Sequence, residues 1–155
     1  MSRSSKSRKP GRSVNRAPLT REMLLPIPIA IARDVSLENH LALVALRTGS
    51  GNLDLIGRLF KAIFVSYLLH VEVNGRRDLE RFRSAEAALH SSAIHVKARQ
   101  ARSPPDGDNI VLAQILTLHD QQLASLPSHL IVAARDRLNQ FLMTDDLSPI
   151  ETEES

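Results

Sequence analysis

A ten-residue stretch in the middle of the chain limits the possible folds more than any other feature. The run "AIFVSYLLHV", residues 62–71, would be apolar almost all the way around a helix and contains no acidic side chain, lysine or arginine. Such a helix has to be covered on every side, so it lies either at the centre of a bundle or in an interface between two copies. It is also shorter than the ~18 residues that cross a bilayer. The sequence therefore predicts a helix buried in protein.

The segment before this run also follows a helical pattern. Ser36 can cap a helix, and Arg47 near its end is followed by Gly49, which can stop it. The apolar positions that recur at helical spacing in this short amphipathic helix are Leu37, Leu41, Val44 and Ala45. Asn52 can then cap the next helix, residues 53–73, which contains the buried run.

Three more helical segments follow. Residues 79–102 and 129–143 repeat apolar side chains every three or four positions, and Asp108 can cap a helix over residues 109–126. Strands remain an alternative for "IFVSYLL" and "HLIVAA", because both contain β-branched residues, although no alternation of period two is sustained. The pattern as a whole predicts an all-α, single-domain bundle of about five helices.

The boundaries of the bundle follow from composition. Residues 1–21 are rich in serine, arginine and lysine and hold almost no large apolar side chain, which predicts a disordered basic arm. Residues 22–35 are predicted to be an extended apolar arm, because their two prolines exclude a regular helix. The helical domain is then residues 36–143, and residues 144–155 form an acidic tail.

Charge and composition restrict the class of protein. Seven of the 20 basic side chains lie in residues 1–21, so the rest of the chain holds 13 basic and 17 acidic groups. The 155 residues include no cysteine, which excludes a disulfide framework and a thiolate metal site. The amino terminus lacks the apolar region of a secretory signal. The sequence predicts a cytoplasmic protein with no membrane segment.

The glycine-rich stretch "TGSGN", residues 48–52, raises the question of phosphate binding. A nucleotide-binding P-loop needs a strand before the glycines and a Lys-Ser/Thr pair after them, and this chain has neither. The dinucleotide fingerprint needs a third glycine three residues after the second, whereas Gly57 follows Gly51 by six. Gly49 as a helix stop and Asn52 as a helix cap explain the stretch without a ligand.

Few residues suggest catalysis. Glu86 and His90 are four residues apart on one helix face, with His95 a little further round, which could seed a metal site, but no HExxH pattern accompanies them. His119 and Asp120 form a second local pair, which is ordinary surface chemistry more often than a general base. The sequence predicts a protein that is not an enzyme, with no cofactor, no bound metal and no small-molecule substrate. An enzyme that uses the Glu86 face is the remaining alternative.

A family resemblance lies in "ALRTGSGN", where the matching residues are Ala45, Leu46, Thr48, Gly49, Gly51 and Asn52. This stretch resembles the turn of the helix-turn-helix in Fis-type and NtrC-type bacterial regulators, with one extra residue between the glycines. In those proteins a second turn precedes a basic recognition helix, whereas here "IGRLFKAIFVSYLL" has no glycine where that turn should be. The run "SLENHLALVALRTGSGN" and the final "SPI" resemble short proteobacterial proteins labelled Fis-family regulators. The resemblance implies a DNA-associated regulatory role.

Two functional hypotheses of different classes follow. The first is a DNA-associated, transcriptional regulator-like protein, whose predicted contacts are Arg3, Lys6, Arg8, Lys9, Arg12, Arg16, Arg47, Arg58 and Lys61. The second is a helical interaction or adaptor protein without specific DNA readout. Its homodimer would form through the buried run, and the predicted self-association residues are Phe60, Phe64, Tyr67 and Leu68. A continuous, buried helix 53–73 would count against base reading by this helix.

Overall fold

The computed structural model describes residues 18–100 and 102–151, and its regular structure there is entirely helical. Its six helices are α1 (Arg21–Leu24), α2 (Ile29–Arg47), α3 (Leu53–Asn74), α4 (Glu80–Lys97), α5 (Asp106–Ser125) and α6 (Ser128–Leu142). The predicted all-α fold is confirmed. The five predicted helices correspond to α2 through α6, and α1 is an additional single turn.

Helix α3 is the centre of the bundle. It packs against α2, α4, α5 and α6, and every residue from Ala62 to His70 is buried. The helix runs without a break from Leu53 to Asn74 and ends at Gly75, whose φ of 72° lies in the left-handed region. The prediction of a helix covered on all sides is therefore confirmed, and other helices of the same chain provide the cover.

The "TGSGN" stretch forms the connection between α2 and α3. The backbone N–H of Ser50 donates to the Ala45 carbonyl over 2.8 Å, and Gly49 has a φ of 77°. This six-to-one bond with a left-handed glycine is the Schellman ending of a helix. The Asn52 side chain then accepts a hydrogen bond from the Leu55 N–H at 2.9 Å. The predicted helix stop and helix cap are both confirmed.

The start of α2 differs from the prediction. The helix begins at Ile29 with Pro28 at its N-cap position, seven residues before the predicted cap at Ser36. Proline has a fixed φ and no N–H, so it is compatible with a helix start and is excluded only from a helix interior. The predicted extended arm of residues 22–35 is therefore wrong at residues 22–24, which belong to the turn of α1, and from Ile29 onward. Residues 1–17, the larger part of the predicted basic arm, lie outside the described residues.

The segment before α2 is attached to the bundle. Thr20 caps the single turn of α1 by accepting from the Met23 N–H at 3.3 Å. The Ser128 N–H, at the start of α6, donates to the Leu25 carbonyl at 2.8 Å, and the Ser128 hydroxyl donates to the Glu22 carbonyl at 3.1 Å. These bonds fix the course of the chain between α1 and α2.

The end of the described chain also packs on the bundle. Ile150 is buried, the Glu151 N–H donates to the Tyr67 hydroxyl at 3.2 Å, and Arg83 donates to the Glu151 carbonyl at 2.8 Å. Arg76 forms an ion pair with the Glu151 carboxylate at 2.9 Å. The predicted acidic tail, residues 144–155, therefore includes a docked segment.

The start of α5 also differs from the prediction. The helix begins at Asp106 after Pro105 and is not capped by the predicted Asp108 side chain.

Candidate functional site

Helix α2 carries apolar side chains on two opposite faces. Its inner face buries Ala42, Leu43 and Leu46 in the bundle core. Leu37, Leu41 and Val44 are spaced by four and three residues and form a stripe, which we call the α2 outer face. Leu37 is 59% exposed and Leu41 is 57% exposed. The sequence pattern placed this stripe on the core-facing side of an amphipathic helix, but the stripe faces solvent. The core contact is made by the second set of apolar residues on the inner face.

An apolar groove adjoins the α2 outer face along Leu37. Its walls are the segment 25–28, the first turns of α2 and the end of α5, and its volume is about 890 Å³. Leu25, Ile27 and Ile29 provide most of the large apolar side chains in the lining. The α2 outer face and the groove form one continuous apolar surface on this side of the protein.

A few polar side chains also line the groove. His40 Nε2 lies 2.7 Å from Asp120 Oδ2, which joins α2 to α5 at the groove edge. Arg33, on the first turns of α2, also lines the groove. A large exposed apolar surface with a polar rim is typical of a site where a protein binds another protein. The arrangement suits noncovalent association through side-chain burial.

The predicted self-association residues lie elsewhere. Phe64, Tyr67 and Leu68 are buried in the core of their own bundle. Phe60 is half-buried, and its ring centroid lies 5.6 Å from that of Phe64 and 4.9 Å from that of His90. Three of the four residues are therefore core residues and present no surface to a second copy. An apolar pattern all around a helix indicates that the helix is buried, but it does not show whether the same chain or a partner chain buries it.

The predicted nucleic-acid contacts fall into two groups. The six basic residues from Arg3 to Arg16 lie outside the described residues. Arg47 is exposed at the end of α2, and Lys61 is exposed on α3. Arg58 forms an ion pair with Glu38 of α2, which neutralises its charge. The helix after the "TGSGN" turn is continuous and buried, so it does not form the exposed recognition helix of a helix-turn-helix.

The residues that suggested a metal site have other contacts. Glu86 accepts a hydrogen bond from the Ser148 hydroxyl, and His90 packs on the Phe60 ring. His95 Nδ1 lies 3.0 Å from Gln100 Oε1. Within residues 18–100 and 102–151, no group of three potential metal ligands converges. Over the same residues no helix is long and apolar enough to span a membrane.

The two residues of the predicted pair, His119 and Asp120, differ in burial and in their main contacts. Asp120 contacts His40, whereas His119 is buried. Burial lowers the pKa of His119 to about 4; the Gln122 side chain and Asp120 oppose this shift, and Arg135 adds to it. His119 is therefore neutral near pH 7.

Comparisons with known proteins provide no family assignment. No family model matches the chain, and neither the curated proteins nor the solved structures include a significant match. The similarity to Fis-labelled proteins stays a prediction.

The sequence did not indicate the α2 outer face as a site, because the same leucines have the spacing of an ordinary core-facing stripe. The sequence feature that could have revealed it is the number of apolar positions in α2, which exceeds what one buried helix face needs.

Proposed function

We propose that this protein is a cytoplasmic helical interaction protein, not an enzyme, and that it forms a homodimer through the α2 outer face and the apolar groove. The observation that carries the proposal is the exposure of Leu37, Leu41 and Val44 on a helix whose opposite face is already in the core. Exposing three large apolar side chains in one stripe is unfavourable for an isolated soluble protein. A partner that covers them removes that cost.

A second copy of the chain suits this surface. The spacing of four and three residues between Leu37, Leu41 and Val44 is the spacing of a helix seam in a coiled coil. In a twofold dimer the same patch meets itself, so an apolar stripe is self-complementary without any further feature. If the two α2 helices run antiparallel, their dipoles also align favourably.

The strength of such a dimer can be estimated from the buried side chains. Covering a half-exposed leucine or valine contributes about 1 kcal/mol, so six such side chains from two copies contribute about 6 kcal/mol. Association itself costs at least about 4 kcal/mol. The stripe alone therefore gives weak binding, and Leu25 and Ile29 of the groove have to contribute. If these four groove side chains of the two copies add about 4 kcal/mol, about 6 kcal/mol remains after the cost of association, and we expect a monomer–dimer equilibrium with a Kd of the order of tens of micromolar.

Sedimentation velocity over a range of protein concentrations tests the proposal. The natural chain should change from monomer to dimer as concentration rises, and the double variant Leu37→Glu, Leu41→Glu should stay monomeric. Ile94→Glu is a matched control, because Ile94 is an exposed apolar residue on α4, and it should leave the equilibrium unchanged. A natural chain that stays monomeric at millimolar concentration would refute the dimer. Equal loss of the dimer in both variants would refute the interface.

DNA association is a second proposal, and it rests on the basic residues between Arg3 and Arg16. These side chains would contact phosphates without reading bases, and a protein that makes six such contacts has a log–log salt dependence of about −5. A gel-shift assay at low salt with the full chain and a chain that lacks residues 1–17 tests it. The shift should occur with the full chain alone. No shift with either chain would rule out this role.

A further inference from the structure

A separate cavity of about 650 Å³ lies between α2 and α6, with α3 forming part of its wall. Both helices pack on α3 but not closely on each other, so a space remains between them. Gly57 of α3 lines this space, and among the described residues a Cβ added there would meet no heavy atom within 4 Å apart from the nearby backbone of its own helix. The volume is within the range of about 300–1,000 Å³ that is usual for small-ligand sites.

The walls of the cavity combine apolar and buried polar groups. Val35, Val65 and Leu138 provide apolar surface from three helices. Asn39 is 4% exposed and His119 is 3% exposed, and both line the cavity. Among residues 18–100 and 102–151, no group meets the geometric criteria for a hydrogen bond to His119 Nδ1, although the Gln122 side chain lies close enough to influence this histidine. A buried polar atom without a good hydrogen bond is costly, so a ligand with a polar group would be favoured at this histidine.

The charges at the cavity favour an anion. Arg58, Lys61 and Arg135 line it together with Glu38 and Asp54. The ion pair between Arg58 and Glu38 removes one charge of each sign, which leaves Lys61 and Arg135 opposite a single carboxylate. The surplus is one positive charge. A ligand with one negative charge balances this surplus, whereas a doubly charged phosphate would exceed it by one charge beside the carboxylate of Asp54.

We propose that this cavity binds a small organic monocarboxylate with an apolar body. The carboxylate would pair with Arg135, whose planar guanidinium can donate two parallel hydrogen bonds to it, and with Lys61. The Asn39 amide and the His119 imidazole would provide neutral hydrogen-bonding groups. The apolar body would lie against Val35, Val65 and Leu138.

NMR titration of the full-length protein with sodium hexanoate tests this proposal, with hexanamide and hexyl phosphate as comparison probes. Hexanoate should perturb the amide signals of Gly57 and Lys61 with a Kd of about 1 mM, which is reasonable for a ligand of eight heavy atoms. Hexanamide has the same size but no charge, and it should bind at least tenfold more weakly. Hexyl phosphate should also bind more weakly than hexanoate.

Two variants locate the site. Gly57→Leu should place a side chain inside the cavity and weaken hexanoate binding at least tenfold, and Arg135→Gln should also weaken it at least tenfold. Gly107→Leu is the matched control: Gly107 is also helical with open space at its Cβ position, but it does not line the cavity. It should bind as the natural chain does. A cooperative thermal transition in each variant verifies folding.

Several results would overturn the proposal. They are the absence of hexanoate binding, equal affinity for hexanoate and hexanamide, tighter binding of hexyl phosphate, and unchanged binding by the Gly57→Leu protein. If Gly57→Leu does not fold, Arg135→Gln decides the question, because Arg135 is exposed. Unchanged hexanoate affinity in that variant would then contradict the assigned carboxylate contact.

Discussion

Helices α2 and α3 are both long and rich in apolar residues, yet the fold uses them differently. Residues 62–70 of α3 are all buried by their own chain, whereas α2 is buried on one face and exposes Leu37 and Leu41 on the other. The difference follows from position. Helix α3 packs against four other helices, whereas the outer face of α2 is exposed among the residues that the structure describes. An apolar pattern thus indicates that a surface needs cover, and only tertiary structure shows whether the chain itself supplies it.

The sharpest contrast between the two helices is in their response to truncation. Leu59 on α3 is 0% exposed, so Leu59→Ala should lower the free energy of unfolding by about 2–5 kcal/mol through lost burial and a new cavity. Leu41→Ala on the α2 outer face should change it by less than about 0.5 kcal/mol in the monomer. Urea denaturation at a concentration below dimer formation measures both. Equal losses of unfolding free energy in the two variants would contradict the assignment of Leu59 to the core and of Leu41 to an exposed face.

The next largest effect is a pH dependence of stability that arises from His119 of α5, which lies beside residues of both α2 and α3 in the cavity lining. The pKa of His119 is lowered from its ordinary 6.5 to about 4, mainly by burial, so the unfolded chain binds a proton more readily than the folded one. The resulting stability is complete above pH 6.5 and decreases as the pH falls toward 4. One pKa unit corresponds to about 1.4 kcal/mol, so this group should account for a loss of about 2 kcal/mol between pH 6.5 and pH 5.

The variant His119→Gln isolates that contribution. Its free energy of unfolding should depend less on pH than that of the natural chain, and the difference between the two should increase below pH 6.5. Urea titrations at pH 7.5, 6 and 5 provide the comparison. Parallel pH profiles for the two proteins would show that His119 is not held neutral by burial.

The smallest expected effect lies within α3 itself. Ser66 is fully buried, and its hydroxyl oxygen has no hydrogen-bond partner in the part of the chain that the structure describes, although its backbone carbonyl accepts from the Gln122 side chain at 3.1 Å. Ser66→Ala removes an unpaired polar group and keeps the carbonyl bond. We expect a change between zero and a gain of about 1 kcal/mol in thermal or urea unfolding. A clear loss of stability would mean that the hydroxyl has a partner in solution.

The sequence was sufficient for features that depend on local chemistry. The buried run of α3, the stop at Gly49 and the cap at Asn52 follow from periodicity and from the preferences of single residues, and all three are confirmed. The start of α2 was placed too late because Pro28 was interpreted as a break, although it stands at the beginning of a helix.

Features that depend on distant residues could not be predicted. Ile150 is buried beside Glu151, whose backbone forms hydrogen bonds with Tyr67 of α3 and Arg83 of α4, both distant in the sequence. The α2 outer face and the cavity beside Gly57 arise from the way the helices are arranged, and a single-helix pattern contains no information on that arrangement. The composition of residues 144–155 correctly indicated acidity but not docking.

The most direct test of the central claim is the rate at which a thiol reagent modifies single cysteines, since the natural chain has none. The substitutions are Leu41→Cys on the α2 outer face, Leu59→Cys in the core, and Val132→Cys, an exposed control on α6. The thiol at position 41 should react rapidly in dilute protein and slowly in concentrated protein, because a second copy then covers it. The thiol at position 59 should react slowly at both concentrations and the thiol at position 132 rapidly at both. A rate at position 41 that does not depend on protein concentration would contradict the account.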